Sequence, residues 1–188
     1  MAAKEAPELP APESKDVVQL WKRDTRGNFF NLASGFTSTS RPQLLSGGIL
    51  ADDMGLGKTL QVISLILSQK ANGPTLIIAP KGVMSNWEEQ IARHVKTDHM
   101  PSILRYHQVP KTGKFSKSDF LKHDIVITSY GKIVSDYQAG AKSGIFAVDW
   151  HRIVLDEGHV IRNSKTTTAK AVCSLGAKSR WVLTGTPM

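Results

Sequence analysis

The sequence predicts an α/β fold with a mostly parallel central sheet covered by helices on both faces. Three observations carry that prediction. First, continuous apolar runs recur after residue 47: Thr75-Leu76-Ile77-Ile78-Ala79, Asp124-Ile125-Val126-Ile127-Thr128 and Arg152-Ile153-Val154-Leu155. Unbroken runs of this length, bounded by turn residues, suit strands buried on both faces. Second, helical spacing separates the runs, as in residues 59–69, where Leu60, Ile63, Ile66 and Leu67 share one face. Strands alternating with helices imply a parallel sheet. Third, polar signatures follow three strands: the glycine loop after Ile49-Leu50, Asp156-Glu157-Gly158-His159 after Leu155, and Thr184-Gly185-Thr186-Pro187 after Leu183. Ligands in such sheets bind beyond the carboxyl ends of the strands, where all three signatures fall.

The elements follow in order. Residues 1–16 are rich in Pro, Ala and Glu and are expected to be a disordered extension. Residues 17–46 carry Trp21, Phe29, Phe30, Leu32 and Phe36 among turn residues without a clean period, and read as an irregular lead-in. Residues 47–188 read as one α/β lobe. It opens with Gly48-Ile49-Leu50-Ala51, the glycine loop and the helix at 59–69, which Asn72-Gly73-Pro74 ends. Strand 75–79, a helix at 83–95, and strands at 102–106, 124–128 and 152–155 come next. A helix at 167–175 and a strand at 180–183 close the pattern. Trp87 stands at helical spacing from Ile91 and reads as core, with base stacking as the alternative.

The chain has 188 residues and a formal net charge of +8. Its first forty residues carry equal numbers of acidic and basic side chains, so the excess lies in the part holding the loop. Basic balance is compatible with a polyanionic partner. The single cysteine, Cys173, excludes a disulfide framework or a Cys-based zinc site within the chain and suits a reducing compartment, cytosol or nucleus. Cys173 itself reads as packing beside Val172. The first residues lack the apolar core of a secretory signal, and no apolar run is long enough to span a bilayer. The histidines lack metal-ligand spacing. Lys111, Lys114, Lys117 and Lys122 stand against one acid, Asp119. They read as a phosphate-contacting loop or as a solvated surface.

The stretch Gly47-Gly48-Ile49-Leu50-Ala51-Asp52-Asp53-Met54-Gly55-Leu56-Gly57-Lys58-Thr59-Leu60-Gln61 ends like a phosphate loop. A strict loop would have glycine at position 52, where this chain has Asp52. Main-chain N–H groups from Gly55 to Thr59 suit phosphate oxygens, and the following helix offers its positive end. Lys58 suits the β- and γ-phosphates of a nucleotide, and the Thr59 hydroxyl suits Mg²⁺. The alternative is a tight glycine turn with a surface lysine. Asp156, after an apolar strand, is placed to hold Mg²⁺ through water, with Glu157 as general base toward an attacking water.

As a set these residues resemble the Swi/Snf helicase-like ATPases of superfamily two. Asp52-Asp53-Met54-Gly55-Leu56-Gly57-Lys58-Thr59 is similar to motif I of that family, in which an acid at the first position is common. Leu76-Ile77-Ile78-Ala79-Pro80 with Asn86-Trp87 resembles motif Ia, and Ile127-Thr128-Ser129-Tyr130 a later DNA-tracking motif. Asp156-Glu157-Gly158-His159 resembles motif II, and Leu183-Thr184-Gly185-Thr186-Pro187 motif III. Gly158 and the run His159-Val160-Ile161-Arg162-Asn163 resemble the helicase-like transcription factor and post-replication repair group. Leu20-Trp21-Lys22, Asn31 and Arg41-Pro42 resemble that group's insert before motif I.

The resemblance implies a three-layer RecA-like phosphate-loop NTPase domain, the first of two ATPase lobes, with the second absent. It implies ATP and Mg²⁺ as cofactors and a nuclear, double-stranded-DNA-stimulated translocase that acts in repair or chromatin remodelling, on nucleosomes or on fork and repair proteins. Carried over residue by residue, the nucleotide site is Asp53, Met54, Gly55, Leu56, Gly57, Lys58, Thr59 and Leu60. Catalysis falls to Lys58, Asp156 and Glu157, metal binding to Thr59 and Asp156, and coupling to His159 and Thr184. Lys81, Ser85 and Thr128 fall at or near DNA contacts. Two departures stand out. No glutamine-bearing helix that would read adenine precedes motif I, since Gln19 lacks its expected neighbours. The arginines of a second lobe, whose loss costs roughly 10³–10⁵ in turnover, are not in the chain. A non-catalytic DNA- or protein-binding lobe is therefore the alternative. A phosphate-loop kinase or GTPase fits poorly, because no Asn-Lys-x-Asp guanine reader is present.

Overall fold

The run Thr75–Ala79 forms a strand in which every residue is buried, and the sheet is assembled around it. The computed structural model describes residues 1–11, 14–69, 73–107, 115–140 and 144–185. The backbone falls into two units, Met1–Gly47 and Gly48–Met188.

In the first unit a single helical turn, α1 (Ala2–Glu5), stands within the stretch expected to be disordered. The lead-in expected to be irregular contains a small antiparallel sheet of β1 (Trp21–Arg23), β2 (Phe29–Asn31) and β3 (Thr37–Ser38). Strands this short cannot show a readable period-2 pattern, which is why the sequence hid them. The turn between β1 and β2 is fixed by Asp24, whose carboxylate accepts from Asn28 N at 2.8 Å and Asn28 Nδ2 at 3.0 Å. Gln19 donates to Leu45 O at 2.6 Å and accepts from Leu45 N at 2.8 Å. Both ends of its amide are thus engaged with main chain.

The main sheet contains β4 (Gly47–Leu50), β5 (Thr75–Ala79), β6 (Ile103–Tyr106), β7 (Ile125–Ser129), β8 (Trp150–Leu155) and β9 (Ala177–Leu183) in the order β4-β9-β8-β5-β7-β6. The pairs β5–β7, β5–β8, β6–β7 and β8–β9 are parallel. The helices are α2 (Lys58–Ser68), α3 (Met84–His94), α4 (Lys117–Leu121), α5 (Tyr130–Gln138) and α6 (Thr167–Cys173). Leu76, Ile78, Val126, Ile153 and Leu155 pack with Tyr130 and Ile133 of α5 and Ala171 and Val172 of α6. The alternate residues Ile77, Ile127 and Val154 are equally buried and face the other way, toward the layer where α2 and α3 lie together. This is the expected three-layer α/β architecture. Each such Ile, Val or Leu contributes about 1.5–3 kcal/mol on burial.

Local readings differ from the structure in three places. Helix α2 buries Val62, Ile63 and Leu65, while Leu60 and Leu67 of the expected face stay exposed. Helix α5 was not expected, although Tyr130, Ile133, Val134 and Tyr137 have helical spacing. Cys173 is exposed beside a fully buried Val172. Successive helical residues point about 100° apart, so adjacency to Val172 argued against packing.

Candidate nucleotide site

Parallel register brings the polar signatures to one edge. Ala79 pairs with Ser129, Ile78 with Leu155, and Leu155 with Val182. Asp156 N extends the ladder by donating to Ile78 O at 2.9 Å, and Thr184 N donates to Leu50 O at 3.2 Å. A Cβ on Gly185 would lie 3.0 Å from Met54 Cγ. The glycine loop, the acidic pair and the turn after β9 therefore meet.

In the loop, Gly55 (φ +86) and Gly57 (φ +73) adopt left-handed backbone, and a Cβ on either would project into open space. That conformation needs glycine, and it leaves the start of α2 open to an anion. Lys58 Nζ donates to the main-chain oxygens of Asp52 at 2.7 Å and Asp53 at 2.9 Å. The Asp52 carboxylate accepts from Gln61 Nε2 at 3.1 Å. Asp53, Met54, Leu56 and Leu60 are exposed, and Lys58 and Thr59 are half-buried.

Asp156 is held on every side. Its Oδ2 accepts from Trp87 Nε1 at 2.8 Å and its Oδ1 from Glu157 N at 3.1 Å. Its main-chain oxygen accepts from Tyr130 Oη at 2.8 Å. Burial pushes the Asp156 carboxyl above its ordinary value, with the Glu157 charge adding to the rise; the Trp87 bond and the Lys58 charge act in the opposite direction. A cation at this point would relieve that burial cost. Burial also raises the Tyr130 phenol, so it stays protonated as a donor. Glu157 sits at φ 52, ψ 51, a left-handed conformation that costs a non-glycine residue roughly 1–2 kcal/mol. Its Oε2 lies 3.3 Å from His159 Nδ1. Gly158 is buried against Val182.

Among the described residues no cluster of three His, Cys, Asp or Glu side chains could hold a metal unaided. One carboxylate and one hydroxyl, completed by phosphate oxygens and water, is what Mg²⁺ bound with a nucleotide requires. The open glycine loop, Lys58, Thr59 and buried Asp156 fit that pair.

The residues expected to touch DNA separate. Lys81 is exposed and lines a cavity of about 370 Å³ with Pro80, His107, Ser129, Tyr130, Gly131 and Lys132. Ser85 is half-buried in the first turn of α3. Thr128 corrects the expectation: it is fully buried in β7, with no room for a phosphate. Its neighbour Ser129, which points to the opposite side of the strand, faces the cavity. Ser129 and His107 line the cavity with Lys81, whereas the Lys132 ammonium is taken by the Asp136 carboxylate and lies 4.5 Å from the centroid of the Tyr106 ring. Lys111, Lys114, Thr186 and Pro187 lie outside the described residues. Lys117 and Lys122 pair with Asp149 and Asp119 at 3.3 and 3.0 Å.

A parallel α/β sheet with a glycine loop, lysine and acidic pair at its carboxyl edge defines a phosphate-loop nucleotide-binding domain. The comparisons name the family. Residues 17–188 match the SNF2-related domain. The chain is 36% identical over 197 residues to the DNA repair protein RAD5B of Arabidopsis thaliana, covering 85% of this chain and 15% of that one. It is 37% identical over 207 residues to the DNA repair protein rad8 of Schizosaccharomyces pombe, covering 94% and 18%. The Sulfolobus solfataricus SWI2/SNF2 ATPase core solved with double-stranded DNA superposes with a TM-score of 0.61 at 35% identity, over 74% of this chain and 27% of that one. The chain belongs to the SNF2-related family and has its RecA-like fold. It spans less than a fifth of these curated relatives and about a quarter of that ATPase core.

Proposed function

We propose that the chain is the ATP-binding lobe of a DNA-dependent ATPase that moves on double-stranded DNA in repair or chromatin remodelling in the nucleus. The observation that carries the proposal is the meeting of Lys58, Thr59, Asp156 and Glu157 at one sheet edge beside an open glycine loop. Lys58 would leave the carbonyls of Asp52 and Asp53 for the β- and γ-phosphates. Thr59 and Asp156 would hold Mg²⁺, which neutralises charge on the phosphates. Glu157 would orient the attacking water and take its proton. His159, 3.3 Å from Glu157, and Thr184, beside the loop, would link nucleotide state to DNA.

DNA would run past Lys81 and Ser129. The DNA repair names of the relatives and the duplex in the Sulfolobus complex support that partner; nucleosomes or fork proteins extend the same reading. Because the chain spans only about a quarter of a solved ATPase core, it should bind ATP and turn it over slowly by itself. The test is magnesium-ATP binding by the purified chain, then turnover with and without duplex DNA. Binding with negligible, DNA-insensitive turnover supports a lobe that needs the rest of the core. The absence of magnesium-ATP binding refutes the nucleotide reading. DNA or protein binding without nucleotide would favour the non-catalytic module.

A further inference from the structure

Two aromatic hydrogen-bond donors from opposite faces of the sheet converge on Asp156. Trp87 belongs to α3 and Tyr130 to α5, which packs in the other layer. Their contacts, Nε1 to Oδ2 and Oη to the main-chain oxygen, are both 2.8 Å. Both rings are buried, Trp87 completely, so neither donor has an alternative rotamer to occupy without repacking. A buried indole N–H always needs an acceptor, and Trp150 shows the ordinary structural solution, donating to the Ile145 carbonyl at 3.1 Å. Trp87 instead spends its donor on an acidic side chain.

The same two helices begin at the Lys81 cavity. Pro80 and Lys81 line it and lead through the turn Lys81–Val83 into α3. Ser129 lines it and caps α5, accepting from Lys132 N at 3.3 Å, and Tyr130 lines it too.

We infer that Trp87 and Tyr130 are positioning residues that hold Asp156 for its metal. The inference rests on the magnesium-nucleotide reading above. Trp87 fixes one carboxylate oxygen and Glu157 N the other, so the free lone pairs have a single direction. Tyr130 fixes the peptide that carries them. Partners of this kind orient metal ligands, and losing one typically lowers metal affinity roughly 10–100-fold.

The test uses the whole chain with ADP and Mn²⁺, following the free-ion electron paramagnetic resonance signal. Tyr130→Phe keeps the ring and removes only the donor; Trp87→Phe removes the donor and also part of a fully buried ring system. The expected result is roughly tenfold weaker Mn²⁺ binding in the ADP complex for Trp87→Phe and severalfold weaker for Tyr130→Phe. ADP affinity without metal should hold in both variants, and the melting temperature should hold in Tyr130→Phe while Trp87→Phe melts lower for the lost packing. Mn²⁺ affinity within twofold of wild type in both variants overturns the inference. A joint fall of metal-free ADP affinity, Mn²⁺ affinity and melting temperature in both would mean packing alone and also overturns it. Should Trp87→Phe not fold, Tyr130→Phe decides. If the wild-type chain binds neither ADP nor Mn²⁺-ADP, the nucleotide reading fails and this inference falls with it.

Discussion

Gly158→Ala tests how tightly the acidic turn is built. A Cβ on Gly158 would lie 2.2 Å from Val182 Cγ1 and 3.4 Å from Val182 Cβ. Attractive carbon–carbon contact begins near about 3.5 Å, so the methyl demands an opening of about 1.3 Å between the turn and β9. Val182 yields poorly, because its branched side chain is stiff at χ1 and its neighbours Trp181 and Leu183 are buried. Overpacking of this kind costs about 1–3 kcal/mol. In a chain of this length that is a fall in melting temperature of roughly 2–12 °C. The assay is thermal unfolding of wild type, Gly158→Ala, Val182→Ala and the double variant. With the clashing methyls removed, the Gly158→Ala penalty should shrink, so that the two positions show a coupling of about 0.5–3 kcal/mol. The reasoning is refuted if Gly158→Ala melts with wild type, or if its penalty survives intact in the Val182→Ala background.

Lys58→Ala should weaken magnesium-nucleotide binding by about two orders of magnitude, since charge-assisted bonds contribute about 1.5–3 kcal/mol each. The fold should remain, because the described bonds of Lys58 run only to loop carbonyls; isothermal titration showing unchanged affinity would contradict its role. Glu157→Gln, in the chain joined to the remainder of an ATPase core, should bind ATP and lose roughly 10²–10⁴ in turnover. Near-normal turnover would remove Glu157 from the chemistry. Cys173 should react with a thiol reagent under native conditions without a change in nucleotide affinity; protection until unfolding would restore the packing reading.

The strands were legible because strands buried on both faces read as unbroken apolar runs, and Thr75–Ala79 begins and ends where the run does. Tertiary context decided the rest. The strands of the first unit are too short to show alternation. In α2 two overlapping apolar faces compete, and the sheet chose Val62 and Leu65 over Leu60 and Leu67. At the candidate site, the motif spacing singled out Lys58, Asp156 and Glu157, and the strand register brings the ends of β5 and β8 to one edge. Spacing could not reveal Trp87 and Tyr130, which lie 69 and 26 residues from Asp156 and meet it only through the register of the sheet. Helical spacing did place Trp87 in the core, and the atom that reaches Asp156, the indole N–H, is the one that hydrophobicity does not describe.

The two acids at the mouth of an anion site have a physical resolution in the loop. The carbonyls of Asp52 and Asp53, rather than their carboxylates, receive Lys58, and the Asp52 carboxylate is held by Gln61 from the first turn of α2. The Asp52 charge is thus held by the Gln61 amide, while the lysine rests on neutral acceptors of modest strength. A phosphate group competes well for that lysine, because a charged acceptor makes roughly twice as strong a bond as a neutral one. On the other side of the site Asp156 is already clamped by three donors that a nucleotide need not displace. On the proposed nucleotide reading, binding asks for rearrangement of one side chain in the loop and almost none at Asp156. Nucleotide affinity should then follow the loop, whereas the geometry of hydrolysis follows the helices that grip Asp156.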